Sequence, residues 1–224
     1  PNQGTLYGAA CTGTLISEDL LLTAAHCIQV APNDHNNGWT PRRETSSGEI
    51  AIPPEEIGLL LDAQFNYQLD PKGRPRDIVT FAVEKVVEHG INANGTLGAD
   101  YALLKLSPLA DGRKAGALFT PANWDSSDSA YDAAQELTVI QHPNGDLKKI
   151  HAGGRKAFPD AAKRQELRYA SIDTLASSSG SGIIDQNGRL VGVHIFGGCQ
   201  EAVKYNAGVS LVAIRDQSAH FSKP

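Results

Sequence analysis

Residues 11–27 read Cys11-Thr12-Gly13-Thr14-Leu15-Ile16-Ser17-Glu18-Asp19-Leu20-Leu21-Leu22-Thr23-Ala24-Ala25-His26-Cys27. Two apolar segments flank a polar triplet, which predicts strands over Thr12–Ile16 and Leu20–Ala24 joined by a turn at Ser17-Glu18-Asp19. The second strand runs into two alanines just before His26. Small neighbours let an imidazole project without crowding. Two of the chain's three cysteines, Cys11 and Cys27, bracket this unit.

The rest of the chain has the same short-strand character. Residues 31–48 carry Pro, Asn, Gly and charge without periodicity, which reads as a long exposed loop. Ile78–Val83, continued by Val86-Val87, is rich in β-branched and aromatic types and reads as a half-buried strand pair element. Tyr101–Leu106 is a strand closed by Ser107-Pro108. Leu137–Gln141 and Leu147–His151 form a hairpin around His142-Pro143-Asn144-Gly145. Ile183-Ile184 and Leu190–Phe196 form another around Asp185-Gln186-Asn187-Gly188-Arg189. Ser210 is placed to cap a short C-terminal helix carrying Leu211 and Ile214, with Phe221 on the same side. About a dozen short strands with turns between them indicate an all-β barrel or sandwich. Asp111–Ala117 is the best boundary between two halves, and no internal repeat is visible.

Composition sets outer limits. The 224 residues carry a net charge of −5, with 41% hydrophobic and 20% charged residues, which fits a globular chain of one domain or two small halves sharing a cleft. The 22 glycines and 12 prolines point to many turns and short strands. An acidic balance gives no reason to expect nucleic acid. No apolar run approaches the roughly 18 residues that a membrane span needs. The first ten residues lack a basic stretch followed by an apolar one, so no signal peptide is expected there. The histidines other than His26 and His194 show no metal-ligand spacing, and no metal or cofactor is expected.

Nucleophilic catalysis at neutral pH needs a hydroxyl or thiol, an imidazole to take its proton and a carboxylate to orient that imidazole. His26 can supply the second. Asp100 opens the apolar strand Asp100-Tyr101-Ala102-Leu103-Leu104-Lys105-Leu106 and can supply the third. Ser179 lies in Ser177-Ser178-Ser179-Gly180-Ser181-Gly182, a small-residue turn before the strand Ile183-Ile184, with Ser178 as the rival nucleophile. Such a turn can present backbone N–H groups around a hydroxyl, as an oxyanion hole requires.

Here the chain resembles the trypsin/chymotrypsin-like serine proteases. Residues 11–16 with Leu22-Thr23-Ala24-Ala25-His26-Cys27 resemble that family's histidine region, and Asp100-Tyr101-Ala102-Leu103-Leu104 its aspartate strand. Asp173-Thr174-Leu175-Ala176-Ser177-Ser178-Ser179-Gly180-Ser181 is similar to the serine loop of the bacterial V8-like, glutamyl-endopeptidase branch, and Gln141-His142-Pro143 before a Gly turn recurs there. The order His26, Asp100, Ser179 is that of the chymotrypsin constellation. The resemblance implies two packed six-stranded antiparallel β-barrels with a short C-terminal helix. Residues 1–115 would carry His26 and Asp100, and residues 116–224 would carry Ser179 and the substrate pocket. It implies a Cys11–Cys27 disulfide, and therefore a secreted or periplasmic protein. It also implies an oxyanion hole from the N–H groups of Ser177 and Ser179, and protein or peptide substrates.

The chain departs from the family pattern in places. Ser177 stands where glycine is usual in the oxyanion loop. Ser178 replaces the aspartate with which the trypsin branch pairs a newly cut amino terminus, so that switch is not expected. Cys199 has no obvious partner, leaving a free thiol or an intermolecular disulfide open. For the side chain on the acyl side of the cleaved bond (P1), two readings conflict. Asp173 falls where trypsin-like members place a buried carboxylate that attracts Arg or Lys. Thr174 and His194, with Gly197 on the pocket wall, resemble the group that receives an acidic side chain in glutamyl endopeptidases. The resulting expectation is a serine endopeptidase of basic or acidic P1 preference. The alternative is a protease-like binding or regulatory protein that is inactive or conditionally active.

Overall fold

The computed structural model of the chain describes residues 11–28, 42–91, 97–131, 136–155, 166–198 and 205–221. Cys199, the first ten residues and residues 31–41 of the expected loop lie outside them.

The first half contributes β1 (Thr14–Leu15), β2 (Leu20–Thr23), β3 (Arg42–Thr45), β4 (Gly48–Ala51), helix α1 (Pro54–Gly58), β5 (Asp62–Phe65), β6 (Val79–Ile91) and β7 (Leu97–Leu106). The second contributes β8 (Glu136–Gln141), β9 (Lys149–Arg155), β10 (Glu166–Tyr169), β11 (Gly182–Asp185), β12 (Leu190–Phe196), β13 (Asn206–Ser210) and helix α2 (Leu211–Arg215). They form two curled antiparallel sheets. The first is ordered β1-β2-β7-β6-β5, the second β10-β13-β12-β11-β8-β9, and β3-β4 stands apart as a two-stranded ribbon. The first sheet thus has five strands among the described residues, where six were expected, and the second has the expected six.

The turn at residues 17–19 forms as the sequence suggests, with the Ile16 N–H on the Leu20 carbonyl at 2.9 Å and the Leu20 N–H on Ser17 Oγ at 3.2 Å. Tyr101 through Leu104 are all buried, as suits a strand held between β2 and β6 with both faces covered. The expected strand pair element is instead one strand of thirteen residues, β6, whose register against β7 shifts at three places. Such bulges let a long strand bend with the curl of the sheet. Residues 42–51, largely read as loop, form the β3–β4 hairpin, and Arg43 ties it to α1 through two bonds of 2.6 and 3.0 Å to the Glu56 carboxylate. In the second sheet, the Asp185 carboxylate accepts the N–H groups of Asn187 and Arg189 at 2.8 and 2.9 Å, which shapes the Asn-Gly turn between β11 and β12. Ser210 Oγ accepts the Ala213 N–H at 3.1 Å, the expected cap of α2.

One apolar cluster lies within each sheet, around Phe81 and Leu104 in the first and Val139 and Ile183 in the second. A third spans them, bringing Leu22 and Leu103 against Val193, Val209, Leu211 and Phe221. The connecting chain stitches the same seam. The Ala122 N–H bonds the Leu15 carbonyl at 2.8 Å and the Leu190 N–H bonds the Asn123 carbonyl at 2.7 Å. Cys11 and Cys27 are joined by a disulfide, with Cα atoms 6.1 Å apart. Replacing both by alanine is expected to lower the unfolding free energy in urea by about 3 kcal/mol. An unchanged urea midpoint would show that the bridge does not restrain the unfolded chain.

Candidate active site

β2 ends at Thr23, and Ala24 and Ala25, both fully buried, lead into the single turn that carries His26. From β7, Asp100 grips this turn twice. Its Oδ1 accepts the His26 backbone N–H at 3.0 Å and its Oδ2 lies 2.7 Å from Nδ1 of the ring. The carboxylate is 10% exposed and the imidazole 29%, so the acid is shielded while the ring still reaches solvent. A carboxylate at Nδ1 keeps the proton there and leaves Nε2 as a lone-pair base. His26 and Asp100 meet as the sequence suggests.

The serine loop comes from the other sheet and is tied down at every turn. The Ser179 carbonyl accepts the Thr12 N–H at 2.8 Å and lies 3.8 Å from Cys27 Sγ. Thr12 Oγ1 donates to the Ser177 carbonyl at 2.9 Å, and Thr23 Oγ1 donates to the Thr12 carbonyl at 2.8 Å. Gly180 has φ +85°, and a Cβ there would lie 2.1 Å from the Thr12 oxygen and 2.2 Å from Thr23 Oγ1. No other residue fits. Ser178 is fully buried, its Oγ accepting the Leu175 N–H at 3.2 Å, whereas Ser179 is half-buried. The Ser179 hydroxyl has no hydrogen-bond partner among the described residues, His26 included.

Ser177 adopts φ 68°, the left-handed region, so serine takes the conformation for which glycine is usual, at a cost of about 1 kcal/mol. The Ala176 carbonyl is held by the Asn144 N–H at 2.6 Å. In a trans peptide, N–H and C=O point in opposite directions, so this bond fixes where the Ser177 N–H faces. Neither the Ser177 nor the Ser179 N–H has a partner among the described residues.

The expected pocket residues divide. The Asp173 side chain is 90% exposed, 3.9 Å from His151, and so is not the buried carboxylate that the basic reading needs. Thr174 and His194 are both buried. Gly197 stacks on Thr174, since a Cβ there would sit 2.9 Å from Thr174 Oγ1. The His194 carbonyl accepts the Gly180 N–H at 2.8 Å, placing β12 directly beside the serine loop.

The trypsin-like peptidase domain family matches residues 11–193. The chain belongs to that family. Exfoliative toxin A of Staphylococcus aureus is 26% identical over 187 residues, covering 83% of this chain and 55% of the toxin, so the chain spans about half that relative's length. Among solved structures, a Glu endopeptidase in complex with MPD superposes with TM-score 0.59 at 18% identity, covering 95% of this chain and 85% of that one. A thermostable serine protease from an extremophilic microorganism gives 0.55 at 14%, covering 94% and 88%.

Sequence reasoning missed three residues that shape the site. Thr12 holds the serine loop, Asn144 holds the Ala176 carbonyl, and Tyr169 places its hydroxyl 2.5 Å from His194 Nδ1. The position of Thr12 beside Cys11 was its one available signal. Burial, reinforced by electrostatic repulsion from nearby His26, lowers the His194 pKa from 6.5 to about 4. A base with a lowered folded-state pKa contributes stability that is complete above pH 6.5 and is lost as pH falls towards 4, because the unfolded chain takes the proton first. Over that window the unfolding free energy is expected to fall by roughly 3 kcal/mol from this group. His194→Gln should flatten that slope in urea titrations at successive pH values; an unchanged slope would contradict the assignment.

Proposed function

We propose that the chain is a serine endopeptidase in which Ser179 is the nucleophile, His26 the general base and Asp100 the group that orients His26. One observation carries the proposal. A shielded carboxylate fixes His26 at both backbone and ring, beside a loop that leaves Ser179 half-buried while Ser178 is fully buried.

The chemistry follows from the proton positions. With Nδ1–H held on Asp100, Nε2 accepts the Ser179 proton as Oγ attacks the substrate carbonyl carbon. The oxygen of that carbonyl becomes an anion, which the N–H groups of Ser177 and Ser179, without partners among the described residues, would receive. Collapse breaks the C–N bond, and His26 returns the proton to the leaving amine. Water then attacks the acyl-enzyme with His26 again as base, releasing the acid and restoring Ser179. Hydrogen bonds between nucleophile and base are often loose without substrate and tighten on binding, which accommodates the unpartnered Ser179 hydroxyl.

Protein or peptide substrates follow from the family, and the Cys11–Cys27 bridge supports an oxidising, secreted or periplasmic setting. With Asp173 at the surface, the basic P1 preference loses its electrostatic basis, and the Thr174, His194 and Gly197 wall remains as the binding feature. A protease-like binding protein is the second reading, favoured by the same unpartnered Ser179 hydroxyl. Mass spectrometry of peptide mixtures separates the two. The wild-type chain is expected to generate cleavage products, Ser179→Ala none, and Asp100→Asn turnover lower by about 10⁴-fold. Products from Ser179→Ala, or none from the wild type, would reject the endopeptidase.

A further inference from the structure

Residues 172–174 form the root of the serine loop, and three side chains hold them. Asn206 Nδ2 donates to the Ile172 carbonyl, and Asn206 Oδ1 accepts the Thr174 hydroxyl at 3.2 Å. Gln141 Nε2 donates to the Asp173 carbonyl at 2.7 Å. His151 Nδ1 accepts the Asp173 N–H at 3.0 Å. Gln141 lies opposite Lys149 and His151 opposite Val139 in the β8–β9 pairing, so the two side chains sit diagonally on one face of that hairpin. Both peptide groups flanking the Asp173 Cα are thus anchored from one place. Gln141 is 3% exposed, and turning Nε2 to the carbonyl leaves its Oε1 buried without a partner among the described residues. An unpaired buried acceptor is destabilising, so the Asp173 carbonyl, not the wider surroundings of the amide, dictates this orientation.

The bonds that hold residues 175–180 come from the Asn144 and Thr12 N–H groups, the Thr12 and Ser178 hydroxyls and the His194 carbonyl. Peptide groups and aliphatic hydroxyls do not titrate near neutral pH. His151 Nδ1 is different. An imidazole accepts only through an unprotonated nitrogen, and as a cation it donates from both. The bond from the Asp173 N–H and a proton on Nδ1 therefore exclude each other.

The surroundings of the ring allow the exchange. The His151 side chain is about a third exposed, so solvent protons reach it, and Asp173 Oδ2 stands 3.9 Å from Nδ1, at hand for a new N–H. Lys149 shares the same face of β9, and β8 sets uncharged Val139 and Gln141 across from these two. On β10, which approaches β9, Glu166 and Arg168 bond each other at 2.7 Å.

We propose that His151 is a positioning residue of the serine loop and makes its root sensitive to acid. The neutral ring anchors the Asp173 peptide beside Thr174. Protonation of Nδ1 releases it and loosens the Thr174 wall, while Thr12 keeps its hold on the Ser179 end. The kinetic consequence rests on the endopeptidase reading; the coupling of ring to amide does not.

Two measurements test it. The first takes the ratio of kcat/KM for a peptide without titrating side chains to the rate constant for diisopropyl fluorophosphate. It is read at about pH 8 and about pH 5.5, within the range where histidines change charge. Both reactions need neutral His26, so its titration cancels, and only the peptide uses the Thr174 wall. The wild-type ratio is expected to fall by about tenfold at the lower pH, through KM rather than kcat, the size of one lost hydrogen bond. His151→Asn, whose Oδ1 can accept in place of Nδ1 but takes no proton, is expected to keep a constant ratio, and His151→Leu a low one at both values. A wild-type ratio that stays constant, or an Asn variant that falls alongside it, overturns the proposal. A His151→Leu ratio equal to that of the wild type at the higher pH overturns the positioning role.

In the second measurement, ¹⁵N NMR follows Ser179→Ala protein over the same range. His151 is expected to carry its proton on Nε2 at the higher pH, and the Asp173 amide to shift with the midpoint of ring protonation but to stay still in His151→Asn. An Nδ1–H tautomer at the higher pH, or an Asp173 amide that ignores the ring, overturns the proposal whatever the kinetics. Ring and amide moving together in a chain that neither cleaves peptide nor reacts with the fluorophosphate would reject the endopeptidase and leave the anchor standing.

Discussion

The peptide N–H of Thr12 ties the two sheets together at the candidate site. It donates to the Ser179 carbonyl, and the side chain of the same residue donates to the Ser177 carbonyl. Thr12 is itself restrained from both sides, by the Cys11–Cys27 bridge and by the Thr23 hydroxyl on its carbonyl. The serine loop of the second sheet is therefore referenced to the histidine turn of the first through a few short bonds rather than through distant packing. The absence of a side chain at Gly180 is what permits that approach.

Each ring of the site is held at one nitrogen by a neighbour: the Asp100 carboxylate lies at Nδ1 of His26, and the Tyr169 hydroxyl at Nδ1 of His194. Asn144 fixes the Ala176 peptide and with it the direction of the Ser177 N–H. Ser177 holds its left-handed conformation without glycine because the carbonyls on both sides of its Cα are bound, one to Asn144 and the other to Thr12. Strain at one residue is thus offset by bonds from two others.

The sequence made the parts with local signals legible. Apolar runs bounded by turn residues located β1, β2, β7, β8, β11 and β12, and Ser210 announced the cap of α2. Strand β13 escaped notice because Asn206, Ala207, Gly208 and Ser210 have low strand propensity; pairing with β10 and β12 rather than composition makes it extended. The β3–β4 hairpin was hidden for a similar reason, being charged and held to α1 by Arg43. His26, Asp100 and Ser179 were singled out as candidates through their surroundings in sequence. Thr12, Asn144 and Tyr169 act across the fold on backbone or ring atoms 165, 32 and 25 positions away, and no local pattern encodes that. Asp173 was misplaced because position relative to Ser179 fixes the backbone but not the direction of a side chain, which here turns to solvent.

Reaction with diisopropyl fluorophosphate followed by peptide mapping examines the convergence of His26, Asp100 and Ser179 without any assumption about substrate. A phosphoryl adduct on Ser179 alone, absent when His26 is replaced by alanine, is the predicted result. An adduct on Ser178 or another residue, or a chain that never reacts, would contradict it.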